Sequence, residues 1–140
     1  MIRPFRLAGG AVNRMTQIWP VLTGQTSDRL PGGLPSTGMT APATRNVEGY
    51  EIGSSVSVIR EYETEPGAGP RLHQHPYTET FVIQRGRALF TIGGEQREGA
   101  AGDVLVCPPN TPHKFAALGP EPYEAVHIHE NDRFVTEWLE

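Results

Sequence analysis

The sequence predicts an all-β fold, a barrel or sandwich of short strands, on three observations. Glycine (16) and proline (13) are both plentiful among the 140 residues, a usage that favours short elements joined by tight turns. From residue 55 onward apolar and polar side chains alternate with period two, the pattern of strands that bury one face. Before Asn131 no stretch carries helical periodicity, and the one helix expected is Asn131–Leu139.

Composition bounds the function classes. With 37% hydrophobic and 20% charged residues the chain is of ordinary globular type, long enough for one domain with a real core. Twelve basic residues against sixteen acidic ones leave a net charge of −4, which argues against nucleic acid or an anionic membrane as partner. No apolar run approaches the length that spans a bilayer. The single cysteine, Cys107, excludes an intrachain disulfide and a cysteine-based zinc site, and it suits a cytoplasmic protein. Residues 1–14 carry three arginines, no acid and no long apolar centre. They read as a translated leader before Met15, the alternative being a short organellar address.

The elements follow in order. Residues 1–50 show little periodicity, and between Pro20 and Gly49 they are dense in Pro, Gly, Ser and Thr. Trp19, Val21 and Leu22 are the one apolar knot of this expected arm, and residues 51–140 are the expected β-barrel domain. Ser55–Tyr62 opens the strands, with Val56 and Val58 alternating with Ser55 and Ser57. Glu65–Pro70 is a turn, and Glu79–Gln84 and Ala88–Ile92 are rich in β-branched and aromatic residues. Gly93-Gly94 signals a two-residue hairpin into the polar strand Glu95–Glu98. Asp103–Cys107 is a short apolar strand stopped by Pro108-Pro109, and His113–Ala117 and Tyr123–His129 complete about eight strands. Such a sheet has edges to cover, and the arm can pack on, or add a strand to, a second copy, so a homodimer is expected.

The chemistry lies with the histidines, all five of which fall between 73 and 129. On a strand, His73 and His75 leave the same face. Glu79 opens the next strand on a face shared with Phe81 and Ile83; if that face is interior, the carboxylate needs a partner, and a metal ion supplies one. His113 begins a later strand beside Phe115, after the turn Asn110-Thr111-Pro112. Each signal is weak alone. Three imidazoles with one carboxylate suit a first-row transition metal and leave room for water or substrate, whereas calcium or magnesium would call for mostly oxygen ligands.

The spacing of these residues resembles the cupins. Gly67-(five residues)-His73-Gln74-His75-(three residues)-Glu79-(six residues)-Gly86 is similar to their first motif. After 15 residues, Gly102-(five residues)-Pro108-Pro109-Asn110-(two residues)-His113 is similar to their second. Asn110 stands where glycine is usual and Ala117 where asparagine is usual; Asn tolerates a positive φ best after glycine, so the turn is expected to survive. The resemblance covers roughly residues 52–130. It implies a cupin-type jelly-roll (double-stranded β-helix) barrel open at one end, with His73, His75, Glu79 and His113 holding one divalent transition metal, Fe or Mn in preference to Ni, Co, Cu or Zn.

Other residues have two readings. His127 and His129 share a face with Tyr123 and Ala125; they either line the cavity or form a half-exposed pair. Tyr62, Phe81, Phe90, Phe115 and His127 are candidates to contact substrate, although aromatics at strand spacing also build cores. Arg60, Arg71 and Arg87 either meet an anionic substrate or lie on solvated faces. Glu79 can act as ligand or as general base. Cupins have many functions, so the fold does not settle the reaction. The expected function is a metal-dependent dioxygenase acting on a small chelating organic molecule. The alternatives are a redox-neutral isomerase, cyclase or decarboxylase, and a non-catalytic binding protein.

Overall fold

The computed structural model describes residues 42–140, within a compact unit that runs from Met39 to Glu140. The expected leader, the knot around Trp19 and most of the expected arm lie outside the described residues. The strands are β1 (Arg45–Val47), β2 (Ser57–Glu63), β3 (His73–Gln74), β4 (Glu79–Arg85), β5 (Arg87–Ile92) and β6 (Glu95–Ala100), followed by β7 (Val104–Cys107), β8 (His113–Ala117), β9 (Tyr123–His129) and β10 (Glu137–Trp138). A one-turn helix, α1 (Gly49–Ile52), joins β1 to β2. Two five-stranded sheets result, ordered β1-β2-β9-β4-β7 and β10-β3-β8-β5-β6. The all-β reading is correct, and the two facing antiparallel sheets form the jelly roll that the motifs implied.

Strand periodicity decides what the sheets enclose. On β4, Glu79, Phe81 and Ile83 are buried while Thr80 and Val82 are only partly so. On β9, Tyr123, Ala125, His127 and His129 all point inward, and on β8, His113, Phe115 and Ala117 do. The interior therefore grades from polar to apolar along β4, β8 and β9. Imidazoles and a carboxylate occupy one end, and Ile83, Phe90, Phe115, Ala117 and Tyr123 fill the other. Each large side chain in that cluster contributes about 1.5–3 kcal/mol by its burial. The hairpin between β5 and β6 turns on Gly93 and Gly94 with φ of 59° and 83°, the doubly positive pair that a type I′ turn requires. Asn110 has φ of 54°, the one positive φ outside glycine among the described residues, so the turn ahead of His113 survives its substitution.

Three local findings differ from the sequence reading. Asn131–Leu139 is not helical. Its backbone is engaged elsewhere: Phe134 N donates to Glu48 Oε1 (2.9 Å), Val135 N to Tyr77 Oη (3.0 Å) and Leu139 N to Leu72 O (2.9 Å). The segment then pairs as β10 with β3. Secondly, Arg45–Val47, inside the expected arm, is a strand on β2 of its own chain. Thirdly, β2 turns its serine inward. Ser57 is 0% exposed, accepting from Gly49 N (3.0 Å) and donating to Asn131 O (2.8 Å), while Val58 faces outward. Two backbone partners make a buried hydroxyl acceptable where hydropathy alone would place a valine.

Candidate metal centre

Strand register assembles the site. His73 on β3 stands opposite His113 on β8, and Glu79 on β4 lies between Cys107 on β7 and His129 on β9. Phe81 faces His127 two pairs further along. Residues 34 to 56 positions apart in the chain thereby meet around Glu79. His73, His75, Glu79 and His113 are all at most 6% exposed, and one donor atom from each lies within 4.8 Å of the others.

Backbone carbonyls set the tautomers. Nδ1 of His73 donates to Arg71 O (2.7 Å), Nδ1 of His75 to Val135 O (2.7 Å) and Nδ1 of His113 to Thr111 O (2.8 Å). A carbonyl only accepts, so each Nδ1 carries its proton and each Nε2 is left for the interior. Nε2 of His75 is buried without a hydrogen-bond partner, 3.3 Å from Glu79 Oε2, and Nε2 of His113 is 2.8 Å from the same oxygen. The other oxygen, Oε1, has His129 Nε2 at 3.1 Å and His127 Nδ1 at 3.4 Å. Tyr123, whose hydroxyl is pushed up in pKa by burial and by the carboxylates Glu61 and Glu79, donates to His127 Nε2 (3.1 Å). His127 is thereby tied at Nε2, with Nδ1 left on the side of Glu79.

Electrostatics favour positive charge beside Glu79, which the His113 Nε2 proton supplies and a bound cation would replace. Burial acts to raise the Glu79 pKa, but His113, His127, His129 and His75 outweigh it and hold the carboxyl well below its usual range. At His73 burial prevails and lowers the imidazole to about 4, the Arg71 carbonyl opposing it. At His113 burial pulls downward too, but Cys107, Glu79 and the Thr111 carbonyl overcome it and push the ring up to about 10. An ionised carboxylate enclosed by imidazoles whose outer nitrogens are fixed by carbonyls is the arrangement that orients histidines on a metal. The donor set and the unpartnered His75 Nε2 fit a transition metal ion.

A cavity of about 230 Å³ opens over these residues. Its apolar wall includes Ile59, Phe81, Phe115, Phe134 and Trp138, and its remaining polar groups include Asn46, Glu61, Thr136, His127 and His129. Of the substrate-contact candidates, Phe81, Phe115 and His127 line it. Phe90 lies a layer deeper, packed on Phe81 and Phe115 with ring centroids 5.0 and 5.7 Å apart. Tyr62 lines a separate surface hollow of about 300 Å³ with Arg45 and Arg60, because the β2 alternation that turns Ile59 and Glu61 inward turns Tyr62 outward. That hollow is the larger of the two but contains none of the histidines. Arg87 pairs with exposed Glu98 (2.7 Å), and Arg71 lies over the Trp138 ring (5.1 Å); no Lys or Arg is among the described residues lining the cavity. The contribution of Phe134, Thr136 and Trp138 was missed by the helical reading of Asn131–Leu139. Their own period-two spacing is the signal for a strand-like strap.

This is a small jelly-roll barrel with a histidine-rich metal-type centre inside its open end. The cupin domain profile matches residues 60–129, half of the sequence, and the chain belongs to the cupin family. It is 32% identical over 92 residues to an acireductone dioxygenase from Alcanivorax borkumensis, covering 60% of this chain and 50% of that one. It is 41% identical over 58 residues to an uncharacterized protein of Methanocaldococcus jannaschii, covering 40% and 46%. The chain thus spans about half the length of these curated relatives. Among solved structures, oxalate decarboxylase from Bacillus subtilis superposes with a TM-score of 0.61 at 26% identity, over 69% of this chain and 27% of that one. Another structure of that enzyme concerns its Mn(II) centres.

Proposed function

We propose that this cupin is a mononuclear metal-dependent dioxygenase acting on a small chelating organic substrate, with His73, His75, Glu79 and His113 as the metal ligands. The observation that carries the reading is the anchoring of three Nδ1 atoms to backbone carbonyls, which commits three buried Nε2 atoms and one ionised carboxylate to a common centre. Iron or manganese suits the donors and the chemistry; nickel, cobalt, copper and zinc also accept such donors. When bound, the metal supplies Lewis acidity toward substrate oxygens and, if redox-active, the electron chemistry that oxygen incorporation needs. The similarity to acireductone dioxygenase supports the oxygen chemistry, and the Mn(II) centres of oxalate decarboxylase support manganese.

The chain's own residues have separable roles. Glu79, held ionised by four imidazoles, is a strong donor and a weak base, so the ligand role is favoured over general base catalysis. His127, fixed by Tyr123, braces Glu79 from behind. Ile59, Phe81, Phe115 and Phe134 exclude water and offer a flat apolar surface to the substrate body. The second reading is redox-neutral Lewis-acid chemistry such as isomerisation, cyclisation or decarboxylation, for which the likeness to oxalate decarboxylase speaks.

Elemental analysis of untagged protein beside His75→Ala tests the proposal, followed by an oxygen-electrode screen of chelating substrates. The expected result is close to one iron or manganese per chain in the wild type, its loss in the variant, and oxygen uptake with one substrate class. Zinc or no metal in both proteins would overturn it. We read the protein further as a cytoplasmic homodimer, supported by the lone buried thiol of Cys107 and by the sheet edges at β1 and β7.

A further inference from the structure

We propose that the surface hollow of about 300 Å³ beside β1 and β2 binds the phosphate group of a small phosphorylated molecule, held between Arg45 and Arg60. The site is separate from the metal centre: the hollow and the histidine cavity have one lining residue in common, Glu61.

Strand register brings the two arginines together. Arg45 on β1 and Arg60 on β2 are cross-strand partners, so their side chains leave the same face from Cα atoms about 4.5–5.5 Å apart. Like charges placed directly opposite each other destabilise a strand pair, and an anion between them removes the repulsion. Arg85 is engaged by Glu121 and Glu124, Arg87 by Glu98, Arg71 by the Glu140 carbonyl and Trp138, and Arg133 by Tyr50. Arg45 and Arg60 have no acid, carbonyl or ring partner among the described residues. The two acids of the hollow are engaged elsewhere, Glu124 by Arg85 (3.4 Å) and Glu61 by Thr44 Oγ1 (2.8 Å).

Uncommitted donors dominate what is left. The Tyr62 hydroxyl and the Gln84 amide line the same hollow, and neither makes a side-chain hydrogen bond among the described residues. Two guanidiniums, a phenol and an amide offer more N–H and O–H groups than the two oxygens of a carboxylate accept. A phosphate monoester presents three terminal oxygens and close to two negative charges, one for each arginine. The hollow has room for about ten waters, several times what one phosphate group fills, so the ligand carries an organic part. Glu61 and Glu124 can accept from hydroxyls on that part and repel a further acid. A chain of net charge −4 has no diffuse attraction for anions, so phosphate binding here is a local property of the arginine pair.

Calorimetry on the full-length protein tests this with glycerol 3-phosphate, inorganic phosphate and acetate as probes. In the wild type glycerol 3-phosphate should bind tightest and acetate weakest. Arg45→Gln and Arg60→Gln should each weaken glycerol 3-phosphate about ten-fold or more. Arg97→Gln, which removes an exposed arginine outside the hollow, and His75→Ala, which alters the metal centre, should bind as the wild type does. Arg45 and Arg60 are both exposed, so their variants should fold. Without phosphate their thermal midpoints should equal or exceed that of the wild type, because the repulsion is relieved, yet glycerol 3-phosphate should no longer raise them. Equal affinity in the wild type and the two arginine variants, or acetate binding as tightly as the phosphates, would overturn the proposal. Inorganic phosphate binding as tightly as the ester would overturn the organic part. Binding lost in His75→Ala but kept in the arginine variants would also overturn it, assigning the phosphate to the metal centre.

Discussion

Removing His75 should uncouple the protein's thermal stability from metal. The side chain is 3% exposed, its Nδ1 donates to Val135 O and its Nε2 stands without a partner at the Glu79 carboxylate. His75→Ala therefore has two effects of different origin. In metal-free protein it frees the Val135 carbonyl and leaves a gap beside the stacked ring of Tyr77, 5.2 Å away, a loss of about 1–3 kcal/mol. In the presence of metal it also removes one of four donors. A ligand at 100 times its dissociation constant stabilises a folded protein by about 2.7 kcal/mol. Outer-shell partners of a metal typically contribute 10–100-fold in affinity, and a donor atom itself contributes at least the upper end of that range. At the same metal concentration the variant is then at or below its own dissociation constant, with at most about 0.4 kcal/mol remaining. In a unit of this size 1 kcal/mol corresponds to roughly 4–8 °C, so manganese should raise the wild-type midpoint by more than 10 °C and the variant by 3 °C or less. Differential scanning fluorimetry with and without manganese, and with chelator, measures both. An equal metal-dependent rise in the two proteins would refute the assignment of His75 as a ligand.

Further outcomes follow from single contacts. Ser57→Ala should lower stability by about 1–3 kcal/mol in a denaturant melt, because Gly49 N and Asn131 O lose a shared buried partner. Tyr123→Phe should cost about 1–3 kcal/mol and weaken metal binding by no more than an outer-shell effect, since it unties His127 Nε2 without removing a donor; titration with a competing chelator reads the second quantity. Gly86→Ala should cost about 2 kcal/mol or more by thermal melt, since φ is +69° there and the new Cβ would press on the Pro122 carbonyl. If the protein is the homodimer proposed above, removing residues 1–38, which precede the compact unit, should leave a monomer on sizing chromatography; a stable dimer of the shortened chain would remove the role given to the arm.

Much of this site was legible because its residues obey strand periodicity. His73 and His75 share a face, Glu79 heads a strand whose alternate residues are Phe81 and Ile83, and two motifs in one chain state which strands must meet. His127 and His129 were legible as a pair, but which way they faced was not, since Val126 and Ile128 make the opposite face equally hydrophobic; packing between β2 and β4 decides it. Ser57 against Val58 is the same ambiguity resolved against hydropathy, by two backbone partners no local pattern reveals. β1 is three residues long in Pro- and Gly-rich surroundings, too short for any period to register. The helical reading of Asn131–Leu139 failed because the backbone there satisfies itself on Glu48, Tyr77 and Leu72, groups distant in sequence.

The strap from Phe134 to Trp138 contributes no metal ligand, yet the Val135 carbonyl determines which nitrogen of His75 carries a proton, and Phe134, Thr136 and Trp138 wall the cavity. Substrate-sized access and ligand protonation are thus written into a stretch that metal-site mutagenesis would pass over. If the proposed metal binds, a nick or a proline scan between residues 130 and 138 would read like loss of the ion, and a protease acting there like a chelator.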